Sequence, residues 1–269
     1  MVFDKVLEKF KLILRNRNYS EQTISNYSCY LLKFLFDLNV DPHNLTLKQL
    51  NDYLLNFNYT STSQQNQIIN SLKLFYELIL NKKYIHLNKI KRPKKEKSLP
   101  KVISYSEIKQ VLDSINNFKH KTIISLAFST GLRISEVCNL KICNIDKNRM
   151  LIKVISGKGK KDRIVPLSEN MLNILESYFS QYTPLIYVFE SYLPGKKYST
   201  SSCRKIWNKY KIDVESTFHT LRHSCFTFLL ENGTDIRIIQ KIAGHTNIKT
   251  TEIYTHVSNE LLNKVKLPI

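Results

Sequence analysis

Leu151-Ile-Lys-Val-Ile155, then Gly157-Lys-Gly-Lys-Lys161, then Arg163-Ile-Val-Pro-Leu167 is the one stretch of this chain with a clear β signal. Two runs rich in branched apolar residues flank a turn of glycine and lysine, which predicts a hairpin. Everything around it repeats with helical period. Upstream, Ser104-Tyr-Ser-Glu107 forms a capping box that opens a helix to about Ile115, another runs from about Lys119 to Ser129 and is ended by Gly131, and Ser135 to Leu140 is a further short piece. Downstream, helices are expected near Glu169 to Phe179, Ser201 to Tyr210, His219 to Glu231 before Gly233, and Asp235 to Ala243 before Gly244. A last pair spans roughly Lys249 to Lys266.

Nearer the N-terminus the pattern is helical without interruption by strands. Asp4 to Arg15 carries Val6, Phe10, Leu12, Ile13 and Leu14 at helical spacing. Ser20 caps a second helix to about Leu38 with Ile24, Tyr27, Leu31 and Leu35 on one face, and Thr46 caps a short third through Leu55. A fourth, to about Leu80, turns Ile68, Leu72 and Phe75 inward. Between the two helical regions, Lys89 to Lys101 is dense in lysine and arginine and holds two prolines, which forbid helix and stiffen the segment. The expected organisation is a helical domain over 1–88, a basic linker over 89–101 and a second domain over 102–269. The fold class is mainly α with a small β-hairpin or sheet.

Composition limits what such a chain does. With 42% hydrophobic residues it can build cores, and no apolar run approaches the roughly 20 residues needed to cross a bilayer. The mixed N-terminal sequence lacks the apolar core of a secretion signal, so a cytoplasmic location is expected. Five cysteines, Cys29, Cys138, Cys143, Cys203 and Cys225, have no C-x-x-C pairing and read as buried or incidental thiols. Lys and Arg number 41 against 22 Asp and Glu, a net charge of +19. Up to Lys101 there are 17 basic and 8 acidic residues, and from Val102 there are 24 and 14, so the excess is +9 and +10. A charge spread over both regions suits a protein that grips a polyanion, nucleic acid before a membrane surface. The linker residues Arg92, Lys94, Lys95 and Lys97 are candidate phosphate contacts, as are Lys160 and Lys161 in the hairpin turn.

Four short motifs remain: Thr130-Gly-Leu-Arg-Ile-Ser-Glu136, the hairpin turn through Arg163, His219-Thr-Leu-Arg-His223, and Gly244-His245 followed by Thr251-Glu-Ile-Tyr-Thr-His256. Taken singly each has a plain explanation. An arginine after a glycine turn, as at Arg133, is usually an ion-pair partner, here of Glu136. Lys158 is a solvated turn lysine, and Tyr254 is one of 15 tyrosines that pack by default. His219 and Arg222 share a helical face, and His223 joins them at i+4. No zinc-protease glutamate accompanies the two histidines, so a metal site is not expected.

Together these motifs resemble the active site of the tyrosine recombinases, the phage integrase and Xer group, over Pro100 to Val257 and more loosely over the N-terminal helices. The resemblance implies a two-domain, C-shaped DNA clamp made of a core-binding helical domain and a catalytic domain. It implies that Arg133 and Arg222 hold the scissile phosphate, Lys158 protonates the departing 5′ oxygen, His219 helps take the tyrosine proton, His245 bonds a phosphate oxygen and Tyr254 is the nucleophile. Glu136 would be a support that orients the site. The implied reaction cuts and rejoins duplex DNA through a 3′-phosphotyrosine and a Holliday junction without metal, ATP or other cofactor. The implied partners are double-stranded DNA with inverted half-sites and a homotetramer on two duplexes, assembled from a monomer in solution, with an accessory protein or partner recombinase. The final segment Val257 to Leu267, with Val257, Leu261, Leu262 and Val265 on one face, would dock on the neighbouring protomer, the alternative being that it packs against its own catalytic domain.

A type IB topoisomerase would share these residues, and a helix-turn-helix module without catalysis is the rival from another class. Phe218 and Ala243 depart from the residues usual in the resembled family. The helices begin almost at Met1, so no arm-binding domain of the lambda integrase kind is expected.

Overall fold

The computed structural model describes residues 2–39, 44, 46–81, 100–155 and 162–255. The chain divides into two compact units, Met1–Lys97 and Ser98–Ile269. The expected linker falls mostly outside the described residues.

Among the described residues the first unit has four α-helices, α1 (Val2–Asn16), α2 (Glu21–Leu38), α3 (Leu47–Asn56) and α4 (Thr62–Leu78). Each start after the first is fixed by a hydroxyl that accepts an orphan backbone N–H: Ser20 from Thr23, Thr46 from Gln49 and Ser61 from Gln64. Phe10, Leu14, Leu31, Phe34, Leu35, Leu50, Leu72 and Phe75 make a closed core. Each such side chain contributes about 1.5–3 kcal/mol on leaving water. Leu12, expected with the apolar face of α1, instead lies exposed, because the stripe formed by Val6, Phe10 and Leu14 already fills the contact with α2 and α4.

The second unit holds α5 (Tyr105–Asp113), α6 (Phe118–Thr130), α7 (Ile134–Asn139), α8 (Glu169–Tyr182), α9 (Thr200–Tyr210), α10 (Phe218–Glu231) and α11 (Ile236–Ala243). The hairpin strands are β2 (Leu151–Val154) and β3 (Arg163–Pro166), paired antiparallel with Ile152 opposite Val165. A two-residue strand, β1 (Ile145–Asp146), adds a third edge. Helix α6 is buried on nearly every side, Thr122 through Ala127 without a break, and packs against α8 and α10. A helix apolar all round belongs at the centre of a domain, and here it carries Gly131 at its C-terminal end into the site described below.

Two features depart from expectation. After α11 the chain makes two 3₁₀ turns, Ile248–Thr250 and Glu252–Tyr254, where the first of a helical pair was expected. The side chain of His245 bonds the Thr251 hydroxyl, and Thr251 is fully buried, so the segment is pulled in too tightly for an α-helix to form between them. The second member of the pair lies outside the described residues. The loop after α8 also has an organisation the sequence did not announce. One oxygen of the Glu190 carboxylate accepts the backbone N–H groups of Leu185, Ile186 and Tyr187, and the other accepts that of Gly195.

Candidate active site

Helix α10 starts at Phe218, whose buried ring anchors the first turn. One turn on, Arg222 points inward and is only 2% exposed. Its Nη1 donates to the Gly131 carbonyl at 2.6 Å and its Nη2 to the Ala243 carbonyl at 2.6 Å. Those carbonyls end α6 and α11, so the negative ends of two helix dipoles meet on one cation. Nη2 also lies 3.3 Å from His245 Nε2, and the guanidinium sits 4.7 Å over the Phe226 ring. Burial and the nearby Arg133 bring its pKa down to about 10, which leaves it charged at neutral pH.

Arg133 occupies the N-cap position of α7, and Glu136 closes the turn. One Glu136 oxygen accepts the Arg133 backbone N–H at 2.8 Å while the other accepts Arg133 Nη1 at 2.9 Å. Arg163 then forks onto the same carboxylate, Nη1 at 2.8 Å and Nη2 at 2.7 Å, and its Nε donates to the Ile242 carbonyl at 2.7 Å. Burial alone would raise the Glu136 carboxyl; the bonds from Arg163 and the Arg133 backbone outweigh it and hold the pKa at about 2. Arg163 thus ties the start of β3 to the head of α7 and the tail of α11.

Both glycines in these turns are required. Gly131 has φ +62° and a Cβ there would stand 2.6 Å from the Phe226 ring; Gly244 has φ +66° and its Cβ would meet Arg163 Cδ at 2.8 Å. Past Gly244, His245 turns back to Arg222. An arginine only donates, so Nε2 accepts, and Nδ1 carries the proton it gives to Thr251 Oγ1 at 3.0 Å. Burial, then Arg222 and Arg133, lower the His245 pKa to about 4, in keeping with a neutral ring.

Tyr254 lies on the second 3₁₀ turn and is 1% exposed. Its ring packs against Phe226 and His223, with centroids 5.5 and 5.7 Å away. Its hydroxyl is 3.2 Å from His223 Nδ1. Burial pushes the phenol up to about 12, against the pull of Arg222. His219 opens to solvent and meets the His223 ring edge-on at 4.6 Å. Desolvation of its inner side, Arg222 and Arg133 lower its pKa. Arg133 also adds positive field at Tyr254.

The fold therefore gathers Arg133, His219, Arg222, His245 and Tyr254 from four separate segments, with Glu136 beneath them. Lys158, Lys160 and Lys161 lie outside the described residues, as do Arg92, Lys94, Lys95 and Lys97. Among the described residues no group of three or more His, Cys, Asp or Glu is placed to hold a metal ion. Sequence reading assigned no part to Arg163, to the His223 bond with Tyr254 or to Thr251. For Arg163 a signal existed: alternation along β3 puts it on the inward face with Val165 and Leu167, while Ile164 faces out.

Comparison with known proteins adds to this geometry. The model of the phage integrase family matches residues 101–260, and that of the phage integrase N-terminal SAM-like domain matches residues 6–86. The tyrosine recombinase XerA of Pyrococcus horikoshii is 34% identical over 276 residues, covering 99% of this chain and 95% of that protein. The crystal structure of XerA recombinase shares 32% identity and a TM-score of 0.56 over 97% of this chain and 96% of its own. A post-cleavage complex of XerH bound to palindromic difH substrate superposes with a TM-score of 0.73 at 22% identity, over 92% of this chain and 80% of that one.

Proposed function

The chain belongs to the phage integrase family as a tyrosine site-specific recombinase, and we propose that its strand cleavage is carried out by Tyr254 on a phosphate held by Arg133 and Arg222. The observation that carries this reading is the Tyr254 hydroxyl bonded to an imidazole within the same cluster that buries Arg222 against His245. Attack by the hydroxyl oxygen on phosphorus forms a 3′-phosphotyrosine and frees a 5′ oxygen, and the two arginines stabilise the charge that builds on the nonbridging oxygens. His219 helps take the tyrosine proton. His245 bonds a phosphate oxygen, and Lys158, carried between β2 and β3, protonates the leaving oxygen. Glu136 keeps Arg133 in place.

The substrate is duplex DNA, in line with a net charge of +19. Bond energy is conserved in the covalent link, so the reaction as proposed needs neither ATP nor a metal ion. A relative at 34% identity named a tyrosine recombinase favours strand exchange over the same-strand rejoining of a type IB topoisomerase, and over a module that only binds. In our reading the chain works in the cytoplasm as a homotetramer on two duplexes with inverted half-sites, assembled from monomers, with an accessory protein or partner recombinase. The basic segment 89–101, with Arg92, Lys94, Lys95 and Lys97, runs along phosphates, and Lys160 and Lys161 add contacts near Lys158.

Tyr254→Phe tests the assignment. It removes one oxygen and keeps the packing, so DNA binding should persist while the covalent adduct seen in denaturing gels disappears. Adduct at the wild-type level would overturn the reading.

A further inference from the structure

His223 is the one member of the cluster that the proposed chemistry leaves without a role of its own. It follows Arg222 directly on α10, and α10 packs against the 3₁₀ turn that carries Tyr254. Its Nδ1 is 3.2 Å from the Tyr254 hydroxyl, whereas His219, one turn earlier, opens to solvent and touches the His223 ring edge-on at 4.6 Å. We propose that His223, through Nδ1, is the group that takes the proton of the Tyr254 hydroxyl as the strand is cut. The proposal rests on Tyr254 being the nucleophile.

The surroundings suit that task. Facing His223 are His219 and Arg222 from α10, His245 from the loop after α11, and Tyr254 itself. Arg133, at the head of α7, adds positive field at His219 and Tyr254. Burial first, then His219, Arg222 and His245, hold the His223 pKa at about 4, so the ring is neutral at physiological pH and, in the tautomer protonated on Nε2, presents its Nδ1 lone pair to the hydroxyl. A scissile phosphate brings negative charge beside Arg222 and Arg133. It offsets the field that depresses the imidazole, so His223 becomes a stronger base when substrate is in place. In the step, the Tyr254 oxygen bonds phosphorus, the bond from phosphorus to the 5′ oxygen breaks, and the phenolic proton moves to Nδ1, leaving an imidazolium. The departing oxygen takes its proton from Lys158. On rejoining, a 5′ hydroxyl gives its proton back to the Lys158 amine as its oxygen bonds phosphorus, the bond to the Tyr254 oxygen breaks, and Nδ1 returns the proton to the phenol oxygen. His219 backs the ring and keeps its edge towards the nucleophile.

The test uses the full chain and a duplex selected from a random-sequence pool by retention on Tyr254→Phe, then nicked so that the adduct is trapped. His223→Asn places an amide oxygen near the position of Nδ1, so it can accept the hydrogen bond but cannot keep the proton. Adduct formation should fall by about 100-fold or more, with duplex binding close to that of the wild type. The residual rate should climb with pH between about 6 and 9 as hydroxide replaces the base, whereas the wild-type rate stays level. In His223→Ala, imidazole added to the buffer should restore adduct formation in proportion to its concentration, a response that a purely structural histidine would not give. Folding is checked by the fluorescence of Trp207, and His223→Gln replaces His223→Asn should the latter not fold. Wild-type rates for His223→Asn, or no imidazole rescue together with the pH-dependent loss appearing in His219→Asn, would overturn the proposal while leaving Tyr254 as nucleophile. Adduct formation by Tyr254→Phe would instead remove the reading on which it rests.

Discussion

Removing Arg163 should cost the second unit more than any single apolar truncation at its edge, although Arg163 is not expected to touch DNA. Arg163→Met keeps the aliphatic stem against Gly244 and deletes three hydrogen bonds, two to Glu136 and one to the Ile242 carbonyl. Both partners are buried, with side chains 7% and 11% exposed. Breaking a buried pair from one side costs about 3–5 kcal/mol because the other charge is stranded. Glu136 keeps two of its four bonds, both from Arg133, which places the loss near the lower end, about 3 kcal/mol. For a unit of this size that is a fall of about 6–12 °C in melting temperature. Trp207 is the sole tryptophan and is fully buried in this unit, so its fluorescence follows the transition directly. Acid gives a second arm. The folded Glu136 pKa, about 2, lies below the unfolded carboxylate value, so its stabilisation is complete above about pH 4.3 and disappears as pH falls through 2. The gap between wild type and Arg163→Met should therefore narrow across that window. A fall of under about 2 °C at neutral pH, less than 1 kcal/mol on the same scale, or a gap unchanged by acid, would refute the idea of a strut.

Two further predictions follow from the same region. Gly131→Ala combines a left-handed backbone with a Cβ 2.6 Å from Phe226, for a loss of about 2–4 kcal/mol in thermal melts; because the Gly131 carbonyl holds Arg222, adduct formation should fall in parallel, and an unperturbed melt would contradict the packing described. Lys158→Ala should slow cleavage strongly yet recover on DNA whose 5′ bridging oxygen is sulfur, a leaving group needing no proton; equal loss on both substrates would make the lysine a binding group.

Much of this fold is legible in the sequence. Ser20, Thr46 and Ser104 mark helix starts because a capping hydroxyl is a local device, decided within four residues. The hairpin is equally local, since period-two alternation and a glycine turn specify both strands. What escapes depends on residues far apart in sequence. The 3₁₀ turns at Tyr254 exist because His245 and a buried Thr251 draw the chain inward, and nothing in the helical period of that stretch records it. The site residues emerge from the resemblance of whole motifs, not from local physics: alone, Arg133 reads as a surface ion pair. Arg163 and His223 lie inside those motifs and still gain no part, because what matters about them is a carboxylate 27 positions away and a hydroxyl 31 positions away.

The burial of Arg222 under the ends of α6 and α11 separates two kinds of selection on this chain. Its guanidinium completes two helix termini whether or not a phosphate ever arrives, so a descendant that had abandoned strand exchange would still keep Arg222 to fold. The Tyr254 ring is in the same position, wedged beside Phe226, but its hydroxyl is not: phenylalanine would fill that space as well. Loss of activity in such a lineage should first be written as tyrosine to phenylalanine at 254, with the arginine intact. One oxygen atom, not the constellation of cations around it, is the mark by which a working enzyme differs from a silent relative of the same shape.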